Sequence, residues 1–265
     1  MDLTNTLCLG IAGNFAHHLE QAGELKDFEN IITSESHAPK GIFPFYLPHT
    51  QGILGTYCIG TKKLFLPSFQ ANTQVEPEIA ILFDVVYDED FKVLKLIPQY
   101  FTTFNDTTIR KEGAKKISEK KSWGENSKGI GNKWIAIDKF EEGGVMDNYH
   151  LASFVKREGK LYEYGVDAPL LGYSYFYTKL QQWLIHQINS QKDFGVLEDI
   201  KSLMKLCHYP KTLLVSIGAT AYAKFGEENY LKVGDEIYII AYDKTTGTSS
   251  LEKSEGKIIL HQKVE

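Results

Sequence analysis

The sequence predicts an α+β fold, with many short strands, a few helices and no strict alternation between them. Three observations carry that expectation. From Ile79 to Tyr87 eight of nine residues are apolar, with Asp84 the interruption, a run of the length and composition of a core strand. Between Lys40 and Phe69, Gly, Pro and aromatic residues alternate (Pro44, Phe45, Tyr46, Pro48, Tyr57, Phe65), which suits short strands and tight turns rather than long helices. Helical spacing is sustained in two stretches: SYFYTKLQQWLIHQIN, with Leu180, Trp183, Leu184 and Ile188, and VLEDIKSLMKLC, with Val196, Ile200, Leu203, Met204 and Cys207.

The other elements follow in chain order. LCLGIAGNFAHHLEQAG places an apolar run before Gly10 and Gly13 and a polar stretch ending at Gly23, read as strand, turn and short helix. KVLKLIPQYFTTFND predicts two short strands around Pro98, and residues 110–133 a lysine-rich loop punctuated by glycine. WIAID is a further strand, and HLASFVKREGKLYEYG a hairpin turning at Glu158-Gly159. Pro210 closes the second helix. TLLVSIGATAY and YLKVGDEIYIIAYD are then strands, the latter interrupted by a turn at Gly234-Asp235. No repeat or proline-rich linker divides the chain, so residues 1–265 are expected to form one domain.

Composition narrows the function. The 265 residues carry 29 Lys plus Arg against 34 Asp plus Glu, a net charge of −5, which argues against a dedicated nucleic-acid binder. Cys8, Cys58 and Cys207 are an odd set without CxxC spacing, so neither a disulfide framework nor a zinc knuckle is expected, and a reducing compartment fits. The N-terminus lacks a basic start and a sustained apolar run, and no uncharged apolar stretch approaches the roughly 18–20 residues of a membrane span. A cytoplasmic location with no membrane partner is the expectation.

Several residues could carry chemistry. Glu76 and Glu78, two apart at the head of the strongest strand, fall on one face of the pleat about 7 Å apart. Such a pair could share a hard divalent cation, which would remove the repulsion between them; taken alone it reads as two solvated glutamates. A third ligand has to decide, and Asp106 in FNDTTIR is the candidate, although by itself it reads as an Asn-Asp turn. Between Arg110 and Lys133 one arginine and seven lysines face three glutamates. A solvated basic loop ranks first for this stretch, ahead of nucleic-acid contact through Trp123 and Trp134 and of attraction for an acidic metabolite, with a lysine such as Lys121 facing developing oxyanion charge. His17 and Glu20 lie at i, i+3, the spacing of a general base and its orienter on a helix. GTYCIGTK approaches a phosphate-binding loop but has Thr61 where the lysine belongs, so nucleotide binding is rejected there.

In order, GIAGNFAHHLEQAGE, VEPEIAILFD, FNDTTIR, KSWG and YLKVGDEIYI resemble the motifs of the fumarylacetoacetate hydrolase family over most of the chain. The resemblance implies a mixed β-sandwich roll with a few helices, forming a homodimer. It implies Mg²⁺ or Mn²⁺ held by Glu76, Glu78 and Asp106, with Lys121 aiding developing negative charge and Arg110 organising the site. The implied substrate is a small 2-oxo acid or 1,3-dicarbonyl compound such as an acylpyruvate, and the implied reactions are C–C hydrolysis, decarboxylation or isomerisation.

The chain also departs from the pattern. Counting four from Asn14, the family histidine falls on His18, but its acidic partner falls on Gln21; His17 with Glu20 restores the pair by a shift of one. Lys211-Thr212 replaces the family's Gly-Asp before a strand end that reads SIGAT instead of Thr-Gly-Thr, and Asn132-Lys133 replaces Gly-Pro ahead of Trp134. About four extra residues separate Lys121 from Trp134, and the helical insert 174–208 is long. These departures motivate a second expectation, a non-catalytic metabolite- or partner-binding protein that retains the fold.

Overall fold

The computed structural model describes residues 1–15, 18–33, 35–251 and 256–265. Its centre is an eight-stranded mixed sheet. Side by side run Gly41–Tyr46, Leu7–Ala12, Thr212–Ser216, Pro77–Tyr87, Val93–Asn105, Lys128–Ile130 and Ile59–Gly60, and Ile135–Ala136 also pairs with Val93–Asn105. Leu7–Ala12 runs parallel to Thr212–Ser216, whereas Pro77–Tyr87 and Val93–Asn105 are antiparallel. A second sheet orders Lys160–Pro169, Tyr149–Arg157, Glu236–Asp243, Lys257–Val264 and Lys63–Leu64. Asn72–Gln74 and Thr108–Arg110 form a separate antiparallel pair.

The pleat explains why the central strands read as almost continuous apolar runs. Alternate residues point to opposite faces, and both faces of the larger sheet are covered. On one face Leu7, Leu9, Ile79, Ile81, Phe83 and Val215 meet Leu151, Val155, Ile237, Ile239 and Leu260 of the second sheet in one apolar cluster. On the other, Cys8, Phe43, Phe45, Ala80, Leu82, Phe104 and Leu214 pack with Phe28, Ile117 and Leu197. With water on neither side, no polar alternation is required.

The two predicted helices are Tyr177–Ser190 and Ile200–Leu206. The first buries Leu180, Leu184 and Ile188 along one stripe. In the second, Asp199 caps the N-terminus by accepting from the Ser202 N–H at 3.0 Å. Glu158 and Gly159, with φ of 51° and 80°, form the two-residue hairpin turn whose twist suits the flanking strands. Cys8, Cys58 and Cys207 are all free and buried. No helix among the described residues is long and apolar enough to cross a membrane.

Four local expectations are corrected. Val93–Asn105 runs through Pro98 as one strand, because a register irregularity between Leu82↔Tyr100 and Phe83↔Pro98 accommodates a residue with no N–H to donate. Residues 110–133 are not a solvated loop: they include the helix Ser118–Lys121 and the strand Lys128–Ile130, and Lys120, Lys121 and Lys128 are buried. Tyr230 and Leu231 are not strand; the Leu231 N–H donates to Thr73 O at 2.8 Å. The strand Lys257–Val264 was not anticipated, although Ile258, Leu260, Gln262 and Val264 alternate inward along it.

Glu198 couples stability to pH. Burial pushes its carboxyl up to about 7, against the nearby Ser118 and the charge of Lys116, which pull it down. The folded chain therefore holds a proton that the unfolded chain releases near 4.5, and this contribution to stability is lost as pH rises through that interval. Glu198→Gln is expected to flatten the loss, by roughly 2–3 kcal/mol, in urea unfolding compared at about pH 5 and about pH 8.

Candidate metal centre

Strand register builds the site. Pro77 pairs with Asn105 and Glu78 with Phe104, so continuing the ladder by one step sets Glu76 opposite Asp106; the Asp106 N–H donates to Glu76 O at 2.9 Å. On the other side Asn105 pairs with Gly129, and the same extrapolation sets Lys128 beside Asp106. Glu78, two residues into its strand, shares a face with Glu76. One carboxylate oxygen from each of Glu76, Glu78 and Asp106 lies within 4.8 Å of the others, and all three residues are buried.

Around these carboxylates the chain packs cations. The Lys121 ammonium donates to Glu76 Oε2, and to Asp106 Oδ2 at 2.8 Å. Lys128 Nζ is 2.6 Å from Asp106 Oδ1 and donates to Thr107 O at 2.7 Å. Arg110 lies 3.0 Å from Glu76 Oε1 through Nη2, and its Nη1 donates to Glu24 Oε1 at 2.7 Å. The same guanidinium donates through Nε to Gln74 Oε1 at 2.6 Å and through Nη2 to the Tyr222 hydroxyl at 2.7 Å. Lys120 donates to Glu24 Oε1 at 2.8 Å and to Asp27 Oδ2 at 2.7 Å. Three buried carboxylates, those of Glu24, Glu76 and Asp106, thus pair with four cationic groups, those of Arg110, Lys120, Lys121 and Lys128, and the buried Glu78 lies beside them.

The environment polarises the titrations. Burial, helped by the charge of Asp106, pushes the Glu78 carboxyl well above the ordinary glutamate value, against the pull of Lys121. Burial would lower the Lys121 pKa, but Asp106 and Glu76 outweigh it and keep the ammonium charged. For Lys128 burial wins, aided by Lys121, and its pKa falls despite Asp106. Glu78 is oriented by Gly218, whose N–H donates to Oε2 at 2.8 Å. A glycine is needed there: φ is +111°, and a Cβ would come within 2.9 Å of the Asn14 Cβ.

The residues fit a hard divalent cation. Oxygens around Mg²⁺ at roughly 2.1 Å lie about 3 Å apart when adjacent and about 4.2 Å when opposite, within the spread of the three carboxylates. An all-oxygen donor set from carboxylates suits Mg²⁺ or Mn²⁺ rather than a thiol-seeking metal. The structure thus gathers five expected site residues, Glu76, Glu78, Asp106, Lys121 and Arg110. His17 lies outside the described residues, His18 opens the helix His18–Gln21, and Glu20 is exposed on that helix. At the position of the expected acid, Gln21 is a clamp: Oε1 accepts from the Tyr222 N–H at 2.8 Å and Nε2 donates to Tyr222 O at 3.2 Å. Glu24, Lys120 and Lys128 were not anticipated as members of the cluster.

The model of a family described as "Family of unknown function (DUF5718)" matches residues 24–258. The chain belongs to that family. No curated protein matches this DUF5718 chain in sequence. Solved structures do match it in fold. A 2-keto-3-deoxy-D-arabinonate dehydratase complexed with magnesium and 2,5-dioxopentanoate is 17% identical, with a TM-score of 0.53 over 98% of this chain and 73% of that one. A 5-carboxymethyl-2-hydroxymuconate delta-isomerase from Mycobacterium smegmatis is 16% identical, with a TM-score of 0.52 over 98% and 78%. A protein from Yersinia pestis assigned to the fumarylacetoacetate hydrolase family is 12% identical, with a TM-score of 0.53 over 98% and 93%. The resemblance read from the five motifs is therefore a likeness of fold.

Removing one cation from the cluster should be costly, because the fully buried Asp106 then keeps Lys121 alone and its Oδ1 loses its cation. Lys128→Met is expected to destabilise the DUF5718 chain by roughly 3–5 kcal/mol in denaturant unfolding. Adding Asp106→Asn should recover part of that loss.

Proposed function

We propose that the chain binds Mg²⁺ or Mn²⁺ at Glu76, Glu78 and Asp106 and acts on a small 2-oxo acid or 1,3-dicarbonyl compound, by C–C hydrolysis of an acylpyruvate-like substrate or by the related decarboxylation or isomerisation. The observation that carries this reading is the convergence of three buried carboxylates, drawn from two strands, on one point. The magnesium named with the dehydratase of similar fold supports it. A cation held there would act as a Lewis acid toward a carbonyl oxygen that gains charge on the way to an enolate.

The chain's own groups supply the rest. Lys121, held charged between Glu76 and Asp106, spaces the two carboxylates and offers a donor toward developing negative charge. Arg110 fixes Glu76 through Nη2 and is thereby a positioning residue. His17 or His18, with Glu20, is the pair proposed to take the proton from water. The proposal includes the finer description of the two sheets as the fumarylacetoacetate hydrolase type of sandwich roll, a homodimer and a cytoplasmic location.

A second reading, a binding protein without turnover, is favoured by Gln21, an amide spent on the Tyr222 backbone where the motif expects an acid. The two are separated by assaying oxaloacetate and acylpyruvates with Mn²⁺ and with chelator. Turnover abolished by chelator supports the enzyme; a raised melting temperature without turnover supports the binder.

Glu78→Ala tests the metal site itself. Altering groups behind a ligand already lowers metal affinity roughly 10–100-fold, so removing a ligand is expected to lower Mn²⁺ affinity by more than about 100-fold in titration calorimetry. An unchanged isotherm would refute the site.

A further inference from the structure

Glu24 lines two cavities. One, about 10 Å³, is bounded by Glu76, Glu78, Lys121, Phe28, Phe43 and Glu24; it is too small for any oxo acid. The other is a cleft of about 800 Å³ whose lining includes Arg110, Lys111, Lys120, Asp27, Tyr230 and Glu24, in the size range of small-molecule sites. Glu24, which lines both, is ion-paired with Arg110 and Lys120 of the cleft.

We propose that Glu24 occupies a carboxylate-binding subsite made by Arg110 Nη1 and Lys120 Nζ, and that the carboxylate of an organic acid entering from the cleft takes its place. This deepens the proposed function by saying where the substrate's carboxylate sits, and rests on that reading for the identity of the acid.

Three features make the exchange reasonable. The cations stay in place when the Glu24 side chain leaves: Arg110 is held independently by Gln74, Tyr222 and Glu76, and Lys120 by Asp27 Oδ2 at 2.7 Å. The backbone of the segment carrying Glu24 is bonded to itself, through Gly23 N to Glu20 O at 3.0 Å, Asp27 N to Glu24 O at 3.0 Å and Ile31 N to Phe28 O at 2.9 Å, while Asp27 and Phe28 hold it to Lys120 and to the outer apolar cluster, so that the Glu24 side chain alone has to swing out. The segment's near end is anchored by the Gln21 clamp and turns at Gly23, whose φ is +69°, a conformation natural to glycine. The exchange is also even in charge: one carboxylate leaves a guanidinium and an ammonium and another arrives, so no buried cation is left bare. Displacing Glu24 joins the two cavities and brings the rest of the acid against Glu76 and Glu78.

The test uses the full chain in excess chelator with succinate as the probe, read by titration calorimetry, so that a failure of the metal reading leaves it intact. Glu24→Gln removes the internal competitor while keeping its size, and is expected to bind succinate at least about tenfold more tightly than the native chain. Adding Lys120→Met to that variant is expected to abolish the gain. Succinate binding that is unchanged or weaker in a folded Glu24→Gln protein overturns the proposal. If that variant does not fold, Glu24→Asp, which keeps the charge but shortens the reach, takes its place; tighter succinate binding supports the exchange and unchanged binding overturns it.

Discussion

The structure turns on the mutual neutralisation of charge inside an apolar body. A carboxylate taken out of water is tolerated only with a cation in good geometry, and the reverse holds equally. Here Glu24, Glu76 and Asp106 are ion-paired with Arg110, Lys120, Lys121 and Lys128, and none of these is more than about a tenth exposed. The set is drawn from six local elements spread between Glu24 and Lys128. It therefore restricts strand register as tightly as the apolar core does: a slip of one residue along Val93–Asn105 would carry Asp106 away from both Glu76 and Lys128 and turn its side chain to the opposite face.

The two-faced larger sheet makes such burial feasible. Its inner face packs on the second sheet. Its outer face is roofed by Phe28, Ile117 and Leu197, which come from the N-terminal segment and from chain flanking the helix Ser118–Lys121 and the helix Ile200–Leu206. The charged centre lies where Pro77–Tyr87 begins and Val93–Asn105 ends, so backbone geometry at the ends of two strands, rather than a mobile surface loop, sets the spacing of the carboxylates. Groups placed in this way keep their arrangement without reorganisation, the condition under which fixed charges stabilise a reacting oxygen most. The N-terminal segment differs in kind, being tied to this frame by the Gln21 clamp, ion pairs and the aromatic side chain of Phe28.

Much of this is legible in the sequence. Glu76 and Glu78 shared a face by the two-residue period of a strand, and Asp106, Lys121 and Arg110 were picked out by short motifs in a set order. The basic stretch reads as solvated because composition does not say which way a side chain points: Lys120, Lys121 and Lys128 lie in it but face inward toward acids from other segments. Glu24 and Lys128 carried no local signal at all. For Lys128 a usable signal lay in the combination of a Lys-Gly-Ile strand with a neighbour ending in Asn105-Asp106, but only once the pairing of those strands was known. The missed strand Lys257–Val264 did carry its own signal, alternate residues that point inward.

By itself the sequence determined the class of fold, the position of the core strand and the two helices, and a set of residues able to hold a hard cation, because these follow from periodicity and side-chain chemistry within short windows. Tertiary structure alone decided that three carboxylates meet, that four cations are packed around them and Glu24, and that Glu24 lines both cavities. Those facts depend on the register between segments far apart in the chain, and a linear string holds no record of distance.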